Sequence, residues 1–280
     1  MTSETGRGLL ELLSPTLLGY LLHLLPQAES LAEGVSGSLL TPEFVERLRS
    51  ELFSGYVLAQ LGGESAWLAF YKGRLLEAWR QTAQGHLTGI AAYRSLRSEL
   101  PHSTLWIYRL SPEALPSILA LTQGNLRAAA MPAASVIAAD LFASLGQEQF
   151  TGALVLEDGA EGQGWYFSRG QVLFAAEIPG VFRHGRLHLA HTPSKAPPDL
   201  LGMLEQEQQQ QKLERLEALW QAAQAVLREY MGRGAVPALE RLKRTHPSEN
   251  PALLEPSLRG WLETSLEPNA ARMFDRLVKG

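Results

Sequence analysis

The chain has no cysteine, which excludes a disulfide framework, a thiol nucleophile and a thiolate zinc site. It also has no surplus of positive charge. Its 25 Lys and Arg stand against 29 Asp and Glu, a formal net charge of -4, so there is no whole-chain attraction to nucleic acid or anionic lipid, and any basic site must be local. Glycine (25) and proline (16) are at ordinary levels for 280 residues, which argues against a fibrous or wholly disordered chain. A long uninterrupted apolar run is missing too. The nearest, Gly8 to Pro26, is broken by Glu11, Pro15 and His23, with no lysine cluster before it and no small-residue cleavage motif after it. It therefore reads as neither a membrane span nor an export signal. Its Leu9, Leu10, Leu13, Leu17, Leu18, Leu21, Leu22 and Leu25 recur at spacings of three and four, predicting a buried helix or a helical hairpin broken near Pro15. A helix covered by a partner is the alternative for so broad a face.

What the chain does have is a duplication. Residues 36–80 and 133–177 align without a gap at an offset of 97, the kind of self-similarity that organises a fold. Identical pairs include Leu48/Leu145, Glu51/Glu148, Phe53/Phe150, Gly55/Gly152, Gly62/Gly159, Phe70/Phe167, Gly73/Gly170, Leu76/Leu173 and Ala78/Ala175. Each copy opens with an apolar helical stripe, Leu39, Leu40, Phe44, Val45 and Leu48 in the first and Val136, Ile137, Leu141, Phe142 and Leu145 in the second. Thr41-Pro42-Glu43 supplies a cap and a first-turn proline. Short apolar runs divided by glycine turns follow, predicting a three-stranded antiparallel meander. Neither copy has the glycine-lysine-hydroxyl spacing of a phosphate loop, so the shared glycines point to tightly bent backbone.

The repeated pattern is an aromatic-x-glycine opening a strand, an aromatic-rich strand, a glycine turn and an apolar strand ending in alanine. The second copy carries it as Phe150, Gly152, Leu154, Trp165, Tyr166, Phe167, Gly170, Val172 and Ala175. The first carries Phe53, Gly55, Val57, Trp67, Phe70, Gly73, Leu75 and Ala78. This pattern resembles the PATAN-type domain of bacterial response regulators and gliding or twitching-motility regulators, over about one third of the chain. No phosphoacceptor receiver sequence accompanies it. The resemblance implies a regulatory module that works by reversible recognition, and pilus-linked motility as its setting.

Beyond the first copy, YRSLRSE reads as helix, STLWIYRL as strand, and a helix starts near Ser111-Pro112-Glu113. The second copy continues instead through VFRHGRLHLAH, so the two continuations read as divergent. Residues 192–204 contain three prolines near their start and read as a linker. Residues 205–280 follow as helices: one with Leu213, Leu216, Trp220, Ala223, Leu227 and Tyr230 as its apolar face, ending near Gly232-Arg233-Gly234, then AVPALERLKR, 251–265 and 269–279. Through Tyr230, Met231, Gly232, Ala235 and Arg272-Met273-Phe274 this region resembles the helical domains that accompany bacterial signalling modules, which implies an interaction unit. The expected fold is α+β: a first module over 1–130 with N-terminal helices, a second over 131–191, the linker, and a small α-helical bundle over 205–280.

Chemistry-bearing patterns are sparse. His184, His188 and His191 lie together, but strand alternation puts His184 and His188 on one face and His191 on the other, so no three-ligand metal site is expected. No GxSxG elbow or other arrangement selects a nucleophile, and no catalytic residue or cofactor is expected. Arg94 and Arg97, three apart on a helix, suit local ion pairs. The most distinctive polar cluster is Arg183, His184, Arg186 and His188. Its guanidinium forks suit phosphate or carboxylate, and Phe182 and Tyr166 are candidates to stack on a base. A solvated basic strand edge and a protein-docking patch are the competing readings of the same residues. The functional expectation is a non-enzymatic bacterial signalling adaptor or scaffold that regulates motility or cell-surface processes. It would be cytoplasmic, recruited to a membrane-associated complex, and would bind regulatory or motility proteins. Self-association is compatible with this and nucleic acid is not a favoured partner. The alternatives are a receptor for a cyclic dinucleotide or other phosphate-containing ligand, and an uncommon hydrolase.

Overall fold

The Thr41 hydroxyl accepts from the Phe44 N–H at 3.2 Å, and Pro42 occupies the first turn, so the expected cap starts helix α2 (Pro42–Ser50). In the computed structural model, which describes residues 9, 12–23, 25, 29–159, 161–173, 177–193 and 195–279, Leu39 lies before this helix in a 3-10 turn and is 53% exposed. Four strands follow α2: β2 (Gly55–Leu61), β3 (Glu64–Tyr71), β4 (Arg74–Thr82) and β5 (Gly85–Thr88). Helix α3 (Gly89–Arg97) leads to β6 (Thr104–Arg109). With β1 (Glu29–Ser36) these form one antiparallel sheet in the order β1-β6-β2-β3-β4-β5. Ahead of it stands α1 (Pro15–His23). Gly8, Leu10, Glu11, Leu24 and Pro26, part of the expected N-terminal helix, lie outside the described residues.

The second module begins before the expected boundary at 131, since β7 (Asn125–Pro132) pairs in the second sheet; it repeats the path with α4 (Leu115–Gln123), β7, α5 (Ala138–Gln147), β8 (Gly152–Asp158), β9 (Glu161–Ser168), β10 (Gln171–Val172) and β11 (Arg186–His191). Its strand order, β10-β9-β8-β11-β7, mirrors the first sheet and, among the described residues, has no counterpart of β5. The continuations that read as divergent therefore return to the same place. Arg109 of β6 stands opposite Gly55, and His191 of β11 stands opposite Gly152, so the offset falls from 97 to 82 because the second module omits β5 and α3. Ala175, the expected end of its third strand, lies outside the described residues.

Backbone strain repeats with the sequence. Lys72 and Arg169 both have φ 48°, and Leu52 and Gln149 both have φ 51°. Gly73 and Gly170 follow at 79° and 80°, and a Cβ there would lie 2.6 Å from the Arg49 backbone and 2.5 Å from Gly146 O respectively. These glycines let a strand turn press on the preceding helix, which confirms the bent-backbone reading.

Strand alternation sorts each sheet into two buried faces. In the first sheet Val57, Ala59, Leu68, Phe70, Leu75, Ala78 and Ile107 face α2 and α3. Tyr56, Leu58, Trp67, Trp79 and Tyr108 face α1 and α4. In the second, Leu154, Trp165, Phe167, Leu187 and Leu189 pack with Phe142 and Leu145 of α5, and Ala153, Val155, Tyr166 and Ala190 join the same α1/α4 core. Helices α1 and α4 are thus the shared middle layer of both sheets. Hydrogen bonds to both sheets help fix α4 between them: Ser117 Oγ donates to Phe167 O at 2.5 Å, and Gln123 Nε2 donates to Leu76 O at 3.0 Å.

Contacts divide the chain into compact units at Met1–Leu201 and Gly202–Gly280. Helix α6 runs from Leu200 to Met231, starting inside the segment read as linker; Leu200 and Leu201 are buried against the α2/α3 core, and that burial extends the helix towards the prolines. In the second unit α7 (Ala235–Thr245), α8 (Pro251–Ser265) and α9 (Pro268–Lys279) complete a helical bundle. Its core takes Leu219, Ala223, Val226 and Leu227 from α6, with Leu242, Leu258, Leu262 and Phe274. Of the expected α6 stripe, Leu216, Trp220, Ala223 and Leu227 pack in this core, whereas Leu213 and Tyr230, at its two ends, are 50% and 38% exposed. The fold class is α+β, as expected, with two antiparallel sheets and a helical C-terminal region.

Candidate functional site

The 182–191 segment is built into the fold rather than laid along its rim. Strand β11 lies inside its sheet, between β7 and β8, which corrects the strand-edge reading. Leu187 and Leu189 enter one core and Ala190 the other. His188 lies on the Ala190 side, its side chain 3% exposed. The Ala130 N–H donates to its Nδ1 at 3.4 Å, and Nε2 faces Glu157 Oε2 at 3.1 Å. An accepting Nδ1 leaves the proton on Nε2, so the ring donates to Glu157. This pair closes the β7 bulge, where Ala130 has φ 50°.

The other predicted residues point elsewhere. His184 precedes the strand, beyond Gly185 at φ 94°, and meets Asp158 at 2.6 Å with 70% of its side chain exposed. It therefore does not share a strand face with His188; His191, on the opposite face from His188, packs on the Phe150 ring with centroids 4.7 Å apart. Arg183 and Arg186 are exposed. Phe182 is 3% exposed and sits edge-on to Trp165 at 5.8 Å, and Tyr166 is 4% exposed. Neither ring offers a face to a base. The cluster is brought together in sequence, but its side chains do not converge on one cavity.

The sequence reading missed two buried charges on β4. Glu77, 2% exposed, accepts from the Ala78 and Gly89 N–H groups at 2.9 Å through Oε1 and from Gln123 Nε2 through Oε2. Gly89 opens α3, whose N-terminus has no side-chain cap of its own; Glu77 takes that part from the sheet. Burial pushes its carboxyl above the usual value, with the hydrogen bonds from Gln123, Gly89 and Ala78 opposing. Arg80, 8% exposed, donates to Glu64, to Glu99 and to Ser95 O at the end of α3. The two charges pin the β5–α3 segment that the second module lacks. Glu77 inside the apolar run of β4 from Leu75 to Trp79, and Arg80 at its end, were the available signal.

The exposed long strands are β1 and β7, eight residues each, at corresponding edges of the two sheets. Each pairs with one neighbour only, β6 or β11, and each pairing is interrupted by bulges. Gly34 at φ 63° and Ala130 at φ 50° mark equivalent points along them. Leu31 on β1 is 41% exposed. Edges of this kind expose main-chain donors and acceptors to another chain.

No family model, curated protein or solved structure matches the chain. Among the described residues no group of three or more His, Cys, Asp or Glu is placed to hold a metal ion, and no helix is long and apolar enough to cross a membrane.

Proposed function

We propose that this protein is a non-enzymatic bacterial signalling adaptor. In this reading two PATAN-like modules act as one recognition body, and the helical unit provides a second contact surface. The observation that carries the reading is the pair of equivalent exposed edge strands, β1 and β7, one on each copy. A duplicated edge presents two similar main-chain surfaces, which suits reversible docking of extended segments. Cytoplasmic action, recruitment to a membrane-associated complex and control of motility or cell-surface processes belong to the same reading and rest on the PATAN resemblance.

The test is site-specific photo-cross-linking in the native cell, with a benzophenone amino acid at Leu31 or Ala129 and a control at Arg241, an exposed helical position in the other unit. The expected result is discrete adducts with regulatory proteins at both edge positions and none of these at Arg241. Identical adduct patterns at all three positions, or none at the edges, would overturn the adaptor reading.

A further inference from the structure

The C-terminal unit carries a groove of about 730 Å³ between the last turn of α6 and one side of α9, lined by Glu229, Tyr230, Asn269, Arg272, Met273 and Arg276. The four α9 residues fall at i, i+3, i+4 and i+7, so they form one continuous stripe about 10 Å long. Arg272 and Arg276 are exposed. Their neighbours are already neutralised: Arg259 meets Asp275 at 3.1 Å and Arg215 meets Glu255 at 2.8 Å. No ion pair within 4 Å occupies Arg272 or Arg276 among the described residues. The two residues stand about one helical turn apart on the same face of α9, about 6 Å along the axis. Half-buried Met273 lies between them as an adaptable apolar contact.

The opposite wall has the other sign. Glu229 lines it, beside Tyr230. A ligand bearing negative charge on all sides would meet repulsion there, whereas one with a single acidic stripe would not. We infer that this groove binds an amphipathic acidic helix of a partner protein. Two of its carboxylates, at i and i+4, engage Arg272 and Arg276, and an apolar side chain between them rests on Met273. Spacing of one turn on the ligand matches one turn on α9, and paired guanidinium–carboxylate contacts fix its direction. The inference rests on the protein-docking reading above and assigns one partner chemistry to the second surface.

The test is selection of a phage-displayed random 16-residue peptide library on the immobilised full chain. Enriched peptides are expected to carry Asp or Glu pairs four apart with an intervening apolar residue. Their affinity should fall about tenfold or more for the Arg272→Glu/Arg276→Glu variant, fall less for Arg272→Gln/Arg276→Gln, and stay unchanged for Arg233→Glu, an exposed basic position outside the groove. Circular dichroism confirms that each variant is folded, and the Gln pair replaces the Glu pair if charge reversal disturbs the bundle. Absence of enrichment, peptides without acidic pairs, or equal binding to the Gln pair would overturn the inference. The edge-strand cross-links report on the other unit, so the adaptor reading survives loss of the groove, and the groove can bind even if the edges do not.

Discussion

Glu77 is a carboxylate in a core, and among the described residues the N–H groups of Ala78 and Gly89 and the amide of Gln123 donate to it. Burial outweighs those donors and raises its folded-state value above the ordinary 4.5. Below about pH 4.5 the group is protonated in both folded and unfolded chains, so its stabilising contribution is fully present. As pH rises through the raised folded value, the unfolded chain ionises first and that contribution is lost. Glu77→Gln removes the titration. It also sets an amide NH2 against Gln123, whose own Nε2 is committed to Leu76 O, at a cost of about 1–3 kcal/mol that does not vary with pH. Wild-type minus variant stability, measured by urea unfolding between pH 4 and pH 8, should therefore decline as pH rises. A flat or rising difference would refute the burial argument. Glu148 has the reverse sign: Arg127 holds its carboxyl below the ordinary value, so its contribution is present at neutral pH and lost on acidification.

At the scale of elements, the β5–α3 segment is held by charge as much as by its two buried apolar side chains, Ala92 and Leu96. Arg80 reaches Ser95 O, Glu99 and Glu64 from β4. Arg80→Met keeps the packing of the stem but removes all three contacts. Hydrogen exchange in α3 should then quicken about tenfold or more, while amides of β2 and β3 keep their protection. Uniform loss across the sheet would mean that Arg80 supports the core rather than the insertion. The meanders were legible in the sequence because glycine turns and aromatic positions recur at one offset. Strands β1 and β7 were not, since side chains on both of their faces are largely exposed and leave no apolar alternation to read. The equivalence of β6 and β11 was hidden by the β5–α3 insertion, which shifts the offset. Of the predicted cluster, Phe182 and His188 are apolar-core and bulge-closing residues respectively, and a basic cluster in sequence does not reveal which of its members face inward.

At the scale of the molecule, the shared layer makes a claim about cooperativity. Leu17 is fully buried on α1, and its Cδ1 would lie 2.7 Å from a Cβ added at Gly162 of β9. The same helix packs on β3 and β4 of the other sheet. Neither sheet has a complete inner face without α1 and α4, so the two modules of Met1–Leu201 should unfold together despite their separate outer cores. Leu17→Ala removes side-chain volume from the layer between them and should cost about 2–5 kcal/mol. Tryptophan reporters make this measurable: Trp67 and Trp79 lie in the first sheet, and Trp165 lies in the second. In single-tryptophan variants, with the remaining tryptophans changed to Phe, urea transitions reported by Trp79 and by Trp165 should coincide and shift by the same amount on Leu17→Ala. Trp261 belongs to the helical unit, whose core is built from α6 to α9 alone, so its transition should not move. Separate midpoints for Trp79 and Trp165, or a shift confined to one of them, would show that the duplicated modules fold independently and that α1 and α4 merely fill the space between them.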